Sequence, residues 1–205
     1  ISRNLTRSNR LKFLWGVGEA EIFSALIVIC NSLKKVPHVR QIPQNIANNS
    51  KVDIKISNST SEDNLTIFQK NYIKCQKNSK VFIFEEFIND KKSNNNLVNF
   101  IELEDGADVL HLIFQKNVEK ANLQSTSYVK ANQNSKYKQL VLNISKSSVR
   151  NHHYANLIGD NAYASFDGIF FGAKNQLIDN KTQVNHNYPN CQSSQRYKGI
   201  LTDKA

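Results

Sequence analysis

The side chains best equipped for chemistry crowd the last third of this 205-residue chain. His152 and His153 adjoin in "RNHHYANL", Asp167 and Asp179 follow, and His186 and Cys191 flank Pro189. Asp179, His186 and Cys191 offer oxygen, nitrogen and sulfur donors of the kinds that hold zinc or iron, but their spacing matches no compact ligand motif. Cys191 with His186 or His153 as base would make a nucleophilic pair, yet no third residue that orients the base can be identified. Asp167 and Asp179 are a conceivable acid and base for glycoside cleavage, although no wide aromatic platform for a sugar is evident. Adjacent histidines on a strand point to opposite faces, so His152 and His153 cannot easily share a metal ion; one then faces the interior and the other solvent. Gly16-Val17-Gly18 stands alone, without the further glycines of a phosphate-binding loop. These readings assign no catalytic, cofactor-binding or metal-ligating residue.

What would position such residues is a repeat. A turn followed by a small residue recurs in "KNSKVFIFEEF", "DGADVLHLIFQ", "QNSKYKQLVLNI", "DNAYASFDGIFF" and "PNCQSSQRYKGI". The small residues are Ser79, Ala107, Ser135, Ala162 and Cys191, spaced by 28, 28, 27 and 29 residues. In four of the five units an alternating apolar run follows the turn, and a second run precedes the next one. Asn or Gly supplies the left-handed or tight turn, and the residue beside it must be small because coils stack there. A period of about 28 with two strands per unit is too short for a propeller blade and fits the coils of a parallel β-helix. A β-sandwich is the structural alternative. Cys191 then needs no chemical role, because it is the fifth small turn residue.

The N-terminal part reads differently. "FLWGVGEAEIFSALIVICNSLKKV" is apolar, and a buried or amphipathic helix is expected over roughly 19–33, broken by Pro37 and Pro43. Its longest apolar run, Ala25 to Cys30, is too short for a membrane span, and no cleavage pattern marks a signal peptide. The Asn-rich segments 44–64 and 89–96 read as loops. The expected organisation is a helical or irregular segment with linker over 1–70 and a β-helix core over 71–205. The chain begins with Ile1 and contains no methionine, so a fragment is expected.

The net charge of +10 raises the question of an anionic partner, but half of that excess lies in the first 50 residues and no basic stripe with interleaved aromatics runs through the body. Neither nucleic acid nor a membrane is expected as a partner. Cys30, Cys75 and Cys191 are odd in number and widely spaced, which argues against a disulfide framework and for a reducing compartment.

Residues 151–205 resemble the core of the SufB/SufD family, scaffold subunits of the bacterial Suf iron–sulfur cluster assembly machinery. The resemblance rests on Asp179-Asn180-x-Thr182, His186-x-x-Pro189, a serine at 193 or 194, and Tyr197-Lys198-Gly199-Ile200-Leu201. It continues through "SKYKQLVLNISKSSVRNHHYANLIGDNAYASFDGIFF" and reaches back weakly to about Lys77. The Tyr-Lys-Gly ending leans toward the SufD branch. Residues 1–70 lack the family's Trp-Lys-Tyr-Thr type stretch; Trp15 stands in "FLWGVGEAE" instead. The resemblance implies a right-handed parallel β-helix, a non-enzymatic cytoplasmic scaffold, and pairing with a SufB-like subunit and a SufC-like ATPase. It also implies that the family's Cys-x-His-Gly type segment and its SufC-docking helices lie beyond Ala205. This chain would then bind no cofactor itself, and the cluster would be held only transiently in the full complex. A carbohydrate-active β-helix enzyme and a plain binding solenoid are the alternatives.

Overall fold

The computed structural model describes residues 25–31, 51–59, 63–118 and 120–203. Their regular elements are strands: β1 (Ala25–Asn31), β2 (Lys51–Asn58), β3 (Leu65–Cys75), β4 (Lys80–Asn89), β5 (Ser93–Leu103), β6 (Asp108–Asn117), β7 (Ala121–Ala131), β8 (Lys136–Asn143), β9 (Val149–Leu157), β10 (Tyr163–Gly172), β11 (Ile178–His186) and β12 (Gln192–Leu201). The odd-numbered strands form one six-stranded sheet and the even-numbered strands the other, each in sequence order. From β2 onward the chain therefore crosses from sheet to sheet at every turn and winds as a solenoid. Neighbouring coils pair in parallel with a near-constant offset: Lys80 lies opposite Asp108, Asp108 opposite Lys136, and Lys136 opposite Tyr163. Parallel pairing one coil apart excludes the β-sandwich, whose sheets are antiparallel.

Alternation decides what is inside. Along β4, Val81, Ile83, Glu85 and Phe87 are buried, while the residues between them are partly exposed. Val, Ile, Phe and Tyr suit such a pleated, half-buried surface. Two apolar clusters result, one including Ile83, Ile101, Leu103 and Val109 and the other Phe87, Leu97, Ile113 and Val141. Each fully buried aliphatic side chain contributes about 1.5–3 kcal/mol.

The repeating turn has the conformation its residues suggest. Asn78, Asn134, Asn161 and Asn190 adopt φ of 58°, 55°, 58° and 57°, and Gly106 has φ 68°. Asparagine tolerates this left-handed region better than other non-glycine residues. At Gly106, where the same conformation is free of strain, an added Cβ would displace the Asn78 side chain. The next residue in four of these turns, Ser79, Ala107, Ser135 or Ala162, is buried, and Cys191 packs partly buried against the first cluster. Backbone bonds tie turn to turn: Asn78 N donates to Asp105 O at 2.9 Å and Gly106 N to Gln133 O at 2.8 Å.

The N-terminal expectations need correction. Ala25–Asn31 lies within the expected helix 19–33 but is strand β1, paired antiparallel with β3. The run Leu26-Ile27-Val28-Ile29 is mostly β-branched, and periodicity in so short an apolar run cannot separate helix from strand; the open edge of β3 supplies the hydrogen bonds that decide it. The rest of 19–33 lies outside the described residues, as do Trp15 and Gly16-Val17-Gly18. β2 and β3 are coil strands that begin before residue 71, and they occupy part of the expected linker. Likewise β5 starts at Ser93, inside the expected loop 89–96. In both segments a polar, Asn-rich composition accompanies strand, because the register with the neighbouring coil supplies the pairing.

Candidate functional site

The suspected residues on β9 to β12 are placed by the coils rather than gathered into one centre. His153 points inward and is fully buried, and His152 points outward, with Nε2 3.3 Å from Asp179 Oδ2 on the adjacent strand. His186 Nε2 lies 2.9 Å from Ser193 Oγ. The Cys191 thiol donates to the Gly159 carbonyl at 3.3 Å. Cys191, His186 and His153 thus have separate surroundings and form no nucleophile–base pair. Asp167 accepts from Arg196 Nε at 3.1 Å on the outer face of the even-numbered sheet, whereas Asp179 is on the outer face of the odd-numbered sheet. The two carboxylates do not flank a common cleft, which removes the pair suggested for glycoside cleavage. Among the described residues, no group of three or more His, Cys, Asp or Glu side chains is arranged to hold a metal ion.

The familiar-looking run at the end of the chain fastens the last coil. Asn180 Oδ1 accepts from Asn151 Nδ2 at 3.1 Å, and Thr182 Oγ1 and Tyr197 Oη are 2.8 Å apart across the sheets. Gly199 leaves room for the Phe170 ring, which a Cβ there would overlap. Asp179, Asn180, Thr182, Gln195 and Tyr197 line an open trough of about 610 Å³ at this end of the stack. Burial raises the Tyr197 phenol and the nearby Asp167 charge adds to this, while the hydrogen bond to Thr182 works against it.

The most concentrated polar chemistry lies elsewhere, inside the solenoid. On β4, Glu85 falls between Ile83 of the first apolar cluster and Phe87 of the second; on β5, Asn99 falls between Ile101 and Leu97 in the same way. Asn71 Nδ2 donates to Asn99 Oδ1 at 2.8 Å, and Asn99 Nδ2 donates to Glu85 Oε2 at 2.9 Å. His111 Nε2 lies 3.1 Å from the same carboxylate oxygen, and its Nδ1 lies 2.9 Å from Tyr137 Oη. Tyr137 in turn donates to Gln139 Oε1 at 2.8 Å. Burial, then the charge of Glu85, push the Tyr137 phenol well above its ordinary range. Buried polar groups in such a chain depend on one another, since each stranded partner costs about 1–3 kcal/mol.

His153 stands beside this chain without joining it. Its ring stacks on Phe166 at 5.6 Å between centroids, and neither ring nitrogen has a hydrogen-bond partner among the described residues. Burial foremost, then electrostatic repulsion from the neighbouring His111 and His152, lower its pKa to about 3. It is a neutral packing residue.

The inner chain escaped the sequence reading, but a signal was present. Glu85 and His111 interrupt the apolar inward phase of the segments "VFIFEEF" and "VLHLIF". A second missed feature is a ladder of Tyr72, Phe100, Tyr128 and Tyr154 on the outer face of the odd-numbered sheet, in register coil to coil. Phe100 and Tyr128 stack at 5.3 Å, and Tyr128 and Tyr154 at 5.1 Å. Phe100, Tyr128 and Tyr154 thus turn their ring faces to one another rather than outward.

A parallel two-sheet β-solenoid with a polar chain through its interior and small-residue turns is therefore the class of protein in hand. Residues 56–205 match the family described as SUF system FeS cluster assembly, SufBD core domain, and the chain belongs to that family. No curated protein and no solved structure matches it.

Proposed function

We propose that the chain is a SufD-like scaffold subunit of iron–sulfur cluster assembly, which pairs with a SufB-like subunit and works with a SufC-like ATPase. It is not an enzyme by itself, and the cluster is cargo of the assembled complex rather than its resident cofactor. The observation that supports this reading is the family match over 56–205. A solenoid suits the role, because coils that contact their neighbours throughout can pass a displacement at one end to an interface at the other. The SufD branch is favoured over SufB by the Tyr197-Lys198-Gly199 ending and by strand lengths. A reducing cytoplasm accords with the free thiols of Cys75 and Cys191. Among the described residues no helix is long and apolar enough to cross a membrane.

The test is co-expression with SufB-like and SufC-like proteins, followed by affinity capture and gel filtration. A complex containing all three is expected. If the chain co-purifies with neither, the proposal is wrong.

A further inference from the structure

The outer face of the even-numbered sheet differs from an ordinary solvated surface. Phe84, Leu112 and Leu140 lie side by side on β4, β6 and β8, and so do Phe114, Leu142 and Ile169 on β6, β8 and β10. Leu140 is 36% exposed and Ile169 42% exposed. With Phe84 and Leu110 at one end and Phe171 at the other, these side chains make a band that runs diagonally across four strands. At about 4.8 Å between strands and about 3.3 Å per residue along them, the band is about 20 Å long, matching a helix of about 13 residues. Parallel sheets generally have both faces covered, usually by helices, and contiguous exposed apolar bands on this scale mark interaction sites.

Charge specifies what covers it. The carboxylates Glu86 and Asp167 are already satisfied on this face, by Lys55 at 3.2 Å and Arg196 at 3.1 Å. Lys138 lies opposite Leu110 on one side and Ser165 on the other, while Lys198 lies beside Ile169. Lys136 lies opposite Asp108 in the register. The band thus has a flank of lysines in excess of the acids beside it.

We propose that this face docks an amphipathic helix of a partner protein, apolar along one side and carrying carboxylates along the flank that meets Lys136, Lys138 and Lys198. The surface is a property of this chain and does not depend on the partners named above. An apolar seam supplies the affinity of such a contact and the charged flank supplies its orientation.

The test uses the full 205-residue chain and fluorescently labelled helical peptides of about 16 residues, with identical leucine faces and either glutamate or lysine flanks. The glutamate-flanked peptide should bind at least about tenfold more tightly. Leu110→Glu with Leu140→Glu should weaken it by about tenfold or more, the loss expected of a central apolar anchor, while leaving the melting temperature in place. Lys136→Glu with Lys138→Glu should reverse the preference between the peptides. Equal binding of both peptides, or binding untouched by both pairs of substitutions, would overturn the proposal. So would three other outcomes: phosphatidylserine vesicles bound through these residues while the peptide is not, which would mean a membrane surface; a dimer in sedimentation abolished by the leucine substitutions, which would mean a second copy; and peptide binding seen only in a chain starting at residue 25, which would mean that the chain's own N-terminal residues compete for the face.

Discussion

The two outer faces of the solenoid are built by the same repeat and are opposite in character. The odd-numbered sheet turns outward a ladder of stacked rings bordered by Lys74, Glu102 and Lys130, with Lys130 Nζ 3.2 Å from Glu102 and the Tyr72 hydroxyl donating to Glu102 at 2.7 Å. Those two hydrogen bonds lie on the same side of the balance: the bond from Tyr72 foremost, and then Lys130, lower the Glu102 carboxyl. Lys181 closes the ladder with its ammonium 5.7 Å from the Tyr154 centroid. That face satisfies itself. Among the described residues, nothing covers the apolar band of the even-numbered sheet, and lysines exceed acids along its flank. Since both sheets enclose the same interior, the contrast shows that coil stacking is indifferent to the outer residues, which are free to be specialised.

Four experiments would break or sharpen this contrast. The largest effect belongs to the shared interior: Glu85→Ala should destabilise the chain by about 3–5 kcal/mol in urea unfolding, because it strands His111 and Asn99. Replacing Glu85 and His111 together by leucine should restore much of that loss. Next comes the pH dependence from His153. Its folded pKa, about 3, lies below its unfolded value, so the unfolded chain takes up the proton first as pH falls. Stability is therefore full above about pH 6.5 and declines toward pH 3 by up to about 1.4 kcal/mol per pH unit. His153→Phe should remove that part of the slope. On the outer faces, Tyr128→Ala should cost about 1–3 kcal/mol through two lost stacking contacts. The smallest change is expected from Leu140→Gln, within about 0.5 kcal/mol, because among the described residues that side chain lies at the surface of the sheet. Equal losses from Tyr128→Ala and Leu140→Gln would abolish the distinction between the faces.

Much of the solenoid could be read from the sequence because its turns repeat in kind as well as in spacing. The left-handed Asn or Gly and the small residue after it leave a mark every 27 to 29 residues, so the structural place of Cys191 was legible before any coordinates. The opposite facing of His152 and His153 followed from alternation alone. Strand β1 was not legible, because its assignment depends on the edge of β3, more than thirty residues away. The inner polar chain was hidden for a related reason: Glu85 and His111 become neighbours only through the pairing of β4 with β6, and Asn99 reaches them from the other sheet across the interior. The apolar outer band was present in the letters but scattered, since Phe84, Leu112 and Leu140 become neighbours only through the register.

Cys75 ends β3 with its side chain in the first apolar cluster, and burial pushes its thiol up to about 12. A thiol so enclosed and so firmly protonated is inert toward alkylating reagents while the coil is shut. Its rate of labelling in the native chain therefore works as a clock for the opening of the first coils, and it can be read without adding a probe.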